Sequence, residues 1–208
     1  MITGMTAPAP QITVVPANRA TWEDLQAVFG RRGSTSRCQC QRYKLPSKDF
    51  FESVGIEARA GDLREQTDCG HPRSGTTSGL VAYLDGVPVG WCAVEPRTEY
   101  PRLVSTVQVP WEGRDEDRSD SSVWAVTCLV TRAGFRRRGV SRALARAAVD
   151  HARERGARAL EAYPMTTRNA IDEEMHVGTV RTFADAGLTE VSRPTKRRAV
   201  MRIDFPSG

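Results

Sequence analysis

Val126-Thr-Cys-Leu-Val-Thr-Arg-Ala-Gly-Phe-Arg-Arg-Arg-Gly-Val-Ser-Arg-Ala-Leu144 decides the fold. Its first residues continue an apolar run from Val123 to Val130, the pattern of a strand buried on both faces of a sheet. A basic glycine turn follows, and the spacing then predicts a helix from Val140 to Arg155. Val140, Ala143, Leu144, Ala147, Ala148, His151 and Ala152 share one face, Arg142, Arg146, Asp150 and Arg153 occupy the other, and Gly156 fits the C′ position. The first N–H groups of a helix have no internal acceptor, and the helix dipole adds partial positive charge there, so such a turn can bind phosphate through its backbone. Gly139 lets that backbone approach closely, Arg136, Arg137 and Arg138 supply pairing charge, and Ser141 is small enough not to obstruct the helix start. Cations at a helix N-terminus oppose the dipole, which favours a bound anion over a merely solvated turn. The stretch predicts a pyrophosphate site.

Upstream, Gln11 to Val15 alternates as a strand, and Thr21 or Asn18 caps a helix carrying Trp22, Leu25, Val28 and Phe29, ended by Gly30 and Gly33. Ser34 to Lys44 reads as a loop, Ser47 as the cap of a helix through Phe50, Phe51 and Val54, and Ile56 to Thr67 as a further helix. His71 to Ser78 is a loop leading into a hairpin, Leu80 to Leu84 and Pro88 to Val94, whose Asp85-Gly86 favours a type I′ turn. Glu99 to Val107 fits no single pattern, and Glu112 to Ser122 is a charged surface loop. Downstream, Ala157 to Tyr163 reads as a strand, Gly178 to Ala186 as a short helix stopped by Gly187, and Leu188 to Val191 with Ala199 to Ile203 as a terminal strand pair.

The chain of 208 residues suits one domain over 11–208, preceded by a mobile tail at 1–10 that is rich in Ala, Pro and Thr. Hydrophobic residues at 39% and charged residues at 26% exclude a disordered or membrane class, and no apolar run approaches a membrane span. Five cysteines form no even framework, so reduced thiols and a cytoplasmic location are expected. The net charge of +5 suits either nucleic acid or a phosphorylated small molecule.

Arg136-x-x-Gly139-x-Ser141 resembles the Gln/Arg-x-x-Gly-x-Gly/Ala motif of the GNAT superfamily of N-acetyltransferases, with Ser141 in place of the last small residue. The order of elements matches over most of residues 11–205. The resemblance implies an α/β fold with a mixed, mostly antiparallel central sheet, helices on both faces and a splayed parallel strand pair. It implies acetyl-coenzyme A as donor, with the pantetheine arm held along the strand at Leu129 and Val130 and the pyrophosphate held by Arg136, Arg137, Arg138, Gly139, Val140, Ser141 and Arg142. It further implies direct acyl transfer to a primary amine, here expected to belong to a small molecule. The alternatives are a protein amine, a coenzyme-binding fold without catalysis, and, least favoured, a basic nucleic-acid module using Arg136 to Arg138 and Lys196 to Arg198. A homodimer is compatible with the sequence.

Direct transfer needs a base for the amine, donors for the oxyanion and an acid for the departing thiolate. The family commonly places the acid on a tyrosine of the late helix, where this chain has Phe183, so that role does not carry over. His176 occupies the approximate position of a family asparagine facing the coenzyme and is the leading proton-transfer or coenzyme-contacting candidate. Glu161 and Tyr163, two apart on one strand, share a face that is expected to point toward the substrate. Glu95, after Gly90-Trp-Cys-Ala-Val, is a further base candidate. No metal is expected, although Cys38-x-Cys40 with Cys69-x-His71 offers zinc-ligand types at unusually tight spacing. Cys128 reads as a buried structural thiol. The resemblance places the acceptor side at the N-terminal helices and the Arg37 to Lys44 loop. Trp22, Tyr43, Trp91, Tyr100 and Trp111 are candidate lining residues, and the acidic run at 115–120 is a candidate attractor of a cationic amine.

Overall fold

Turn chemistry and alternation place the strands much where the sequence puts them. In the computed structural model, which describes residues 11–105, 108–167 and 174–206, Ile12–Pro16 (β1), Gly79–Leu84 (β2) and Val87–Pro96 (β3) form an antiparallel ladder. Asp85 and Gly86 both take positive φ, 50° and 80°, as a type I′ turn requires. The segment 1–10, and with it the expected mobile tail, lies outside the described residues, as do Thr106 and Val107.

Val123–Thr131 (β4) pairs antiparallel with β3 and parallel with Ala159–Ala162 (β5). Thr189–Thr195 (β6) and Arg198–Asp204 (β7) complete a sheet of order β1-β2-β3-β4-β5-β7-β6. The parallel register covers only Val123 to Val126 against Ala159 to Ala162, while β4 runs on to Thr131. The two strands therefore part in mid-sheet. On the other edge of β4 the register steps from Ala93↔Cys128 to Val94↔Val126, leaving Thr127 as the extra residue of a bulge where the strands diverge.

Helices cover both faces. Trp22–Phe29 (α1) is capped by Thr21, whose hydroxyl accepts the Asp24 N–H at 3.1 Å. Ser34–Cys38 (α2) makes a single helical turn where the sequence reads as loop, because its residues are mostly polar and leave no apolar stripe to detect. Lys48–Ser53 (α3), capped by Ser47, and Ile56–Thr67 (α4) follow, and Pro101–Ser105 (α5) resolves part of the ambiguous stretch as helix. Leu25, Val28 and Phe29 of α1 pack with Leu63, Val81, Trp91, Ala93, Cys128 and Val130 on one face of the sheet. On the other face Val140–Glu154 (α6) buries Val140, Leu144, Ala148 and Ala152 against Cys92, Val94, Val126 and Leu129. Alternate residues of β3 and β4 thus feed separate cores, which explains the unbroken apolar runs.

Helix α6 ends as its sequence predicts. Ala157 N–H bonds to Ala152 O and Gly156 N–H to Arg153 O, the Schellman pair, with Gly156 at φ 77°. Its start depends on Gly90, where a Cβ would lie 2.6 Å from Val140 Cγ1 and 2.9 Å from Leu144 Cδ1. Val180–Ala184 (α7) is shorter than expected, capped by Thr179, and its Phe183 is buried in the α6 core. Among the described residues no helix is long and apolar enough to cross a membrane.

Candidate active site

The arginine turn joins the free end of β4 to the start of α6. Gly139 is the N-cap of α6 at φ 86° and offers no side-chain acceptor, so no cap hydrogen bond satisfies the first N–H groups of the helix. A donor cluster of this kind is suited to a phosphate group. Arg137 also takes positive φ, 64°, and Thr131 Oγ1 lies 3.0 Å from Ser141 Oγ, which ties the two ends of the turn together. Gly139, Val140, Ser141 and Arg142 line one depression with Thr131 and Arg137, and an adjoining groove runs along Leu129, Val130, Arg136 and Ser141 to His176. Eight of the nine residues expected to hold the coenzyme therefore sit together. Arg138 lies instead over the Phe135 ring at 5.5 Å, and Arg142 also pairs with Asp185 at 2.8 Å.

At its inner end the groove meets a second pocket, with which it shares Thr35, Val130 and His176. This pocket is also lined by Phe29, Cys38, Cys40, Arg42 and Cys128. His176 lies in the single 3-10 turn Met175–Val177, and the Tyr43 ring stands 6.5 Å from it. Gly178, at φ 78°, sits against Phe183, and a Cβ there would meet Phe183 Cε2 at 2.8 Å and Leu129 Cδ1 at 3.0 Å. Phe183 thus positions the His176 turn by packing.

Glu95 lies on the same face of β3 as Trp91 and Ala93, and its carboxylate meets Lys44 Nζ at 2.6 Å. Burial pushes its pKa up to about 7 against the opposing pull of the Lys44 ammonium. A carboxyl in that range can accept a proton near neutrality.

Glu161 and Tyr163 do share a face, but they do not reach the groove. Glu161 is fully buried, and its oxygens accept from Arg202 Nη1 at 2.7 Å, from Arg97 Nη1 at 3.3 Å, from Arg114 Nη2, and from the Tyr163 hydroxyl at 2.9 Å. Burial raises its pKa, yet the guanidiniums of Arg114, Arg97 and Arg202 hold it below the ordinary value. A carboxylate saturated by three cations is a poor base, and the expectation that this pair faces substrate is corrected accordingly. The acidic run is engaged in the same region. Glu116 bonds Arg202 at 3.3 Å, Asp120 pairs with Arg158 at 2.7 Å, and Asp117 accepts from Ser119, so Glu116 and Asp120 already have arginine partners.

Of the aromatic candidates, Tyr43 faces His176, Tyr100 is buried beneath Lys44, and Trp91 is buried in the α1 core. Trp22 stacks under Arg64, and Trp111 lies beneath Arg97 and Arg118. The zinc alternative finds no ligand set. Cys69 is packed in the α1 core, His71 pairs with Asp68 at 2.8 Å, and among the described residues no group of three or more His, Cys, Asp or Glu is placed to hold a metal ion.

The acetyltransferase (GNAT) family model matches residues 40–176, from the Cys40 turn through the arginine turn to His176. The chain belongs to the GNAT family of acetyltransferases. Solved structures share the fold of this GNAT acetyltransferase at low identity. The yncA protein of Salmonella typhimurium, determined with its cofactor acetyl-CoA, superposes with TM-score 0.53 at 14% identity over 95% of each chain. A ribosomal-protein-alanine N-acetyltransferase from Brucella melitensis gives 0.51 at 17% identity over 94% of this chain and 99% of its own. An N-acetyltransferase from Staphylococcus aureus Mu50 gives 0.52 at 11% over 93% and 98%. No curated protein matches the sequence.

Proposed function

We propose that this enzyme transfers the acetyl group of acetyl-coenzyme A directly to the primary amine of a small molecule. The observation that carries the reading is the continuous groove from the uncapped start of α6 to the pocket at His176. The N–H groups following Gly139, with Arg136 and Arg137, bind the pyrophosphate, and Arg138 contributes charge to the same turn. The edge of β4 at Leu129 and Val130, beyond its pairing with β5, holds the pantetheine arm, and one of its N–H groups meets the oxyanion. Glu95 takes the proton of the attacking amine, and His176 returns one to the departing thiolate. Glu161 and Tyr163 stabilise the strand that parts from β4 and have no part in the chemistry.

The inner pocket is closed by Phe29 and Cys38 from the N-terminal helices and by Arg42 from the turn that follows them, which suits a small acceptor better than a protein surface. Five free thiols suit a reducing compartment such as the cytoplasm. The test is release of free coenzyme A from acetyl-coenzyme A in the presence of panels of small amines and of peptides with free N-termini or lysines. Turnover with small amines and none with peptides is expected. Turnover confined to peptides overturns the assignment of the acceptor.

A further inference from the structure

A thiol as well as an amine is placed to meet the acyl group. After the single turn of α2 the chain passes through Gln39 and Cys40 at φ 47° and 58°, two successive non-glycine residues in the left-handed region. Such conformations persist only where the surroundings enforce them. Here the turn presents the Cys40 sulfur to the sheet. Its Sγ accepts the Trp91 indole N–H at 3.2 Å, and Cys128 of β4 lines the same pocket beside it. The indole N–H therefore aims at the sulfur, and the Lys44 ammonium, paired with Glu95, lies nearby.

This environment separates Cys40 from the other four thiols. Hydrogen bonding with the neighbouring Cys128 thiol holds the Cys40 pKa below the ordinary thiol value in spite of burial, with Trp91 and Lys44 acting in the same direction and Glu95 opposing. Burial pushes Cys38, Cys69 and Cys92 up, while Cys128, the donor to Cys40, is held up by that bond and by its own burial. Position matters as much as ionisation. Cys40 lines the pocket into which the groove opens at Thr35, Val130 and His176. The groove therefore opens into a pocket whose wall includes Cys40.

We infer that Cys40 is a second acyl acceptor, which takes the acetyl group from the coenzyme thioester and gives it back to free coenzyme A. The inference rests on the acetyl-coenzyme A reading above. It adds an activity, thiol transacylation in the absence of amine, and does not place the acylated cysteine on the path to the amine product. In the step, Cys40 Sγ attacks the thioester carbonyl, the new C–S bond forms as the bond to the coenzyme sulfur breaks, and the proton lost by Cys40 ends on the coenzyme thiol. One thioester replaces another, so no oxidant, reductant or further reactant is required. Exchange between thiols is near balance and runs in both directions.

The full chain is incubated with acetyl-coenzyme A without amine, quenched in acid and mapped by peptide mass. In parallel, passage of the acetyl group from acetyl-coenzyme A to isotopically labelled coenzyme A is followed, and acetyl-coenzyme A binding is measured by calorimetry. The expected result is one hydroxylamine-labile acetyl group on Cys40 and an exchange rate that falls by about tenfold or more in both Cys40→Ala and Cys40→Ser, but not in Cys69→Ala. Wild-type protein that binds acetyl-coenzyme A yet acquires no acetyl group and catalyses no exchange overturns this inference and leaves the transferase reading standing. Absence of binding overturns both. Acetylation mapped to Cys38 or Cys128 in the wild-type chain, which depends on no variant folding, overturns the assignment to Cys40.

Discussion

Thr131 Oγ1 and Ser141 Oγ stand 3.0 Å apart, joining the last residue of β4 to the second residue of α6 across the arginine turn. The contact fixes where the uncapped N–H groups of α6 point. Ser141→Ala should weaken acetyl-coenzyme A binding by roughly fivefold, the equivalent of about 1 kcal/mol for one hydroxyl hydrogen bond. Ser141→Asp, which places a carboxylate among the phosphate donors, should abolish it. Calorimetry on both variants checks the order.

Gly90 sets the height of α6 over the sheet. Gly90→Val drives a side chain into Val140, the first residue of α6, and Leu144, one turn further on. Overpacking of this kind costs about 1–3 kcal/mol, and the urea midpoint should fall accordingly. Because the clash displaces the helix start, coenzyme affinity should fall in the same variant.

Glu161 holds three arginines in place, so Glu161→Gln should destabilise the fold by about 3–5 kcal/mol, as expected when one partner of a buried ion cluster is removed. Its folded pKa lies below the ordinary 4.5. Glu161 therefore contributes stability that is present above that ordinary value and lost as pH falls through the folded one. Urea unfolding of wild type should show this acid-side loss, and the Gln variant should show less of it.

Glu95 behaves in the opposite sense. With a folded pKa of about 7 against an ordinary 4.5, it keeps its proton in the folded chain over a range in which the unfolded chain has lost it. Its contribution to stability is thus full below 4.5 and declines as pH rises toward about 7. Activity runs the other way, since only the ionised form is a base, and kcat/KM should rise through about 7. Glu95→Gln should remove that limb and lower the rate roughly a hundredfold or more, with coenzyme binding retained.

What the sequence discloses here is what is local. The caps at Thr21 and Ser47, the Asp85-Gly86 turn, the Gly156 stop and the arginine turn each depend on a few adjacent residues, and each forms where its pattern stands. The role of Glu161 was not legible, because strand alternation tells which face a side chain takes but not that Arg97, Arg114 and Arg202 converge on it from distant segments. Arginine is ordinarily an exposed residue, so nothing in the sequence marks Arg97 as fully buried. The Cys40 environment escaped for a similar reason. Its indole partner Trp91 and its pocket neighbour Cys128 lie on neighbouring strands far along the chain, and the left-handed backbone that brings them together carries no glycine to announce it.

The central claim is that the start of α6 binds the pyrophosphate of acetyl-coenzyme A. Its most direct test is calorimetric titration of the wild-type chain beside Gly139→Asp, with the circular dichroism of both recorded to establish folding. Saturable binding is expected of the wild type and none of a folded Gly139→Asp, in which a carboxylate stands at the arginine turn. A folded wild-type protein that does not bind, or a Gly139→Asp variant that binds as well as the wild type, would contradict it.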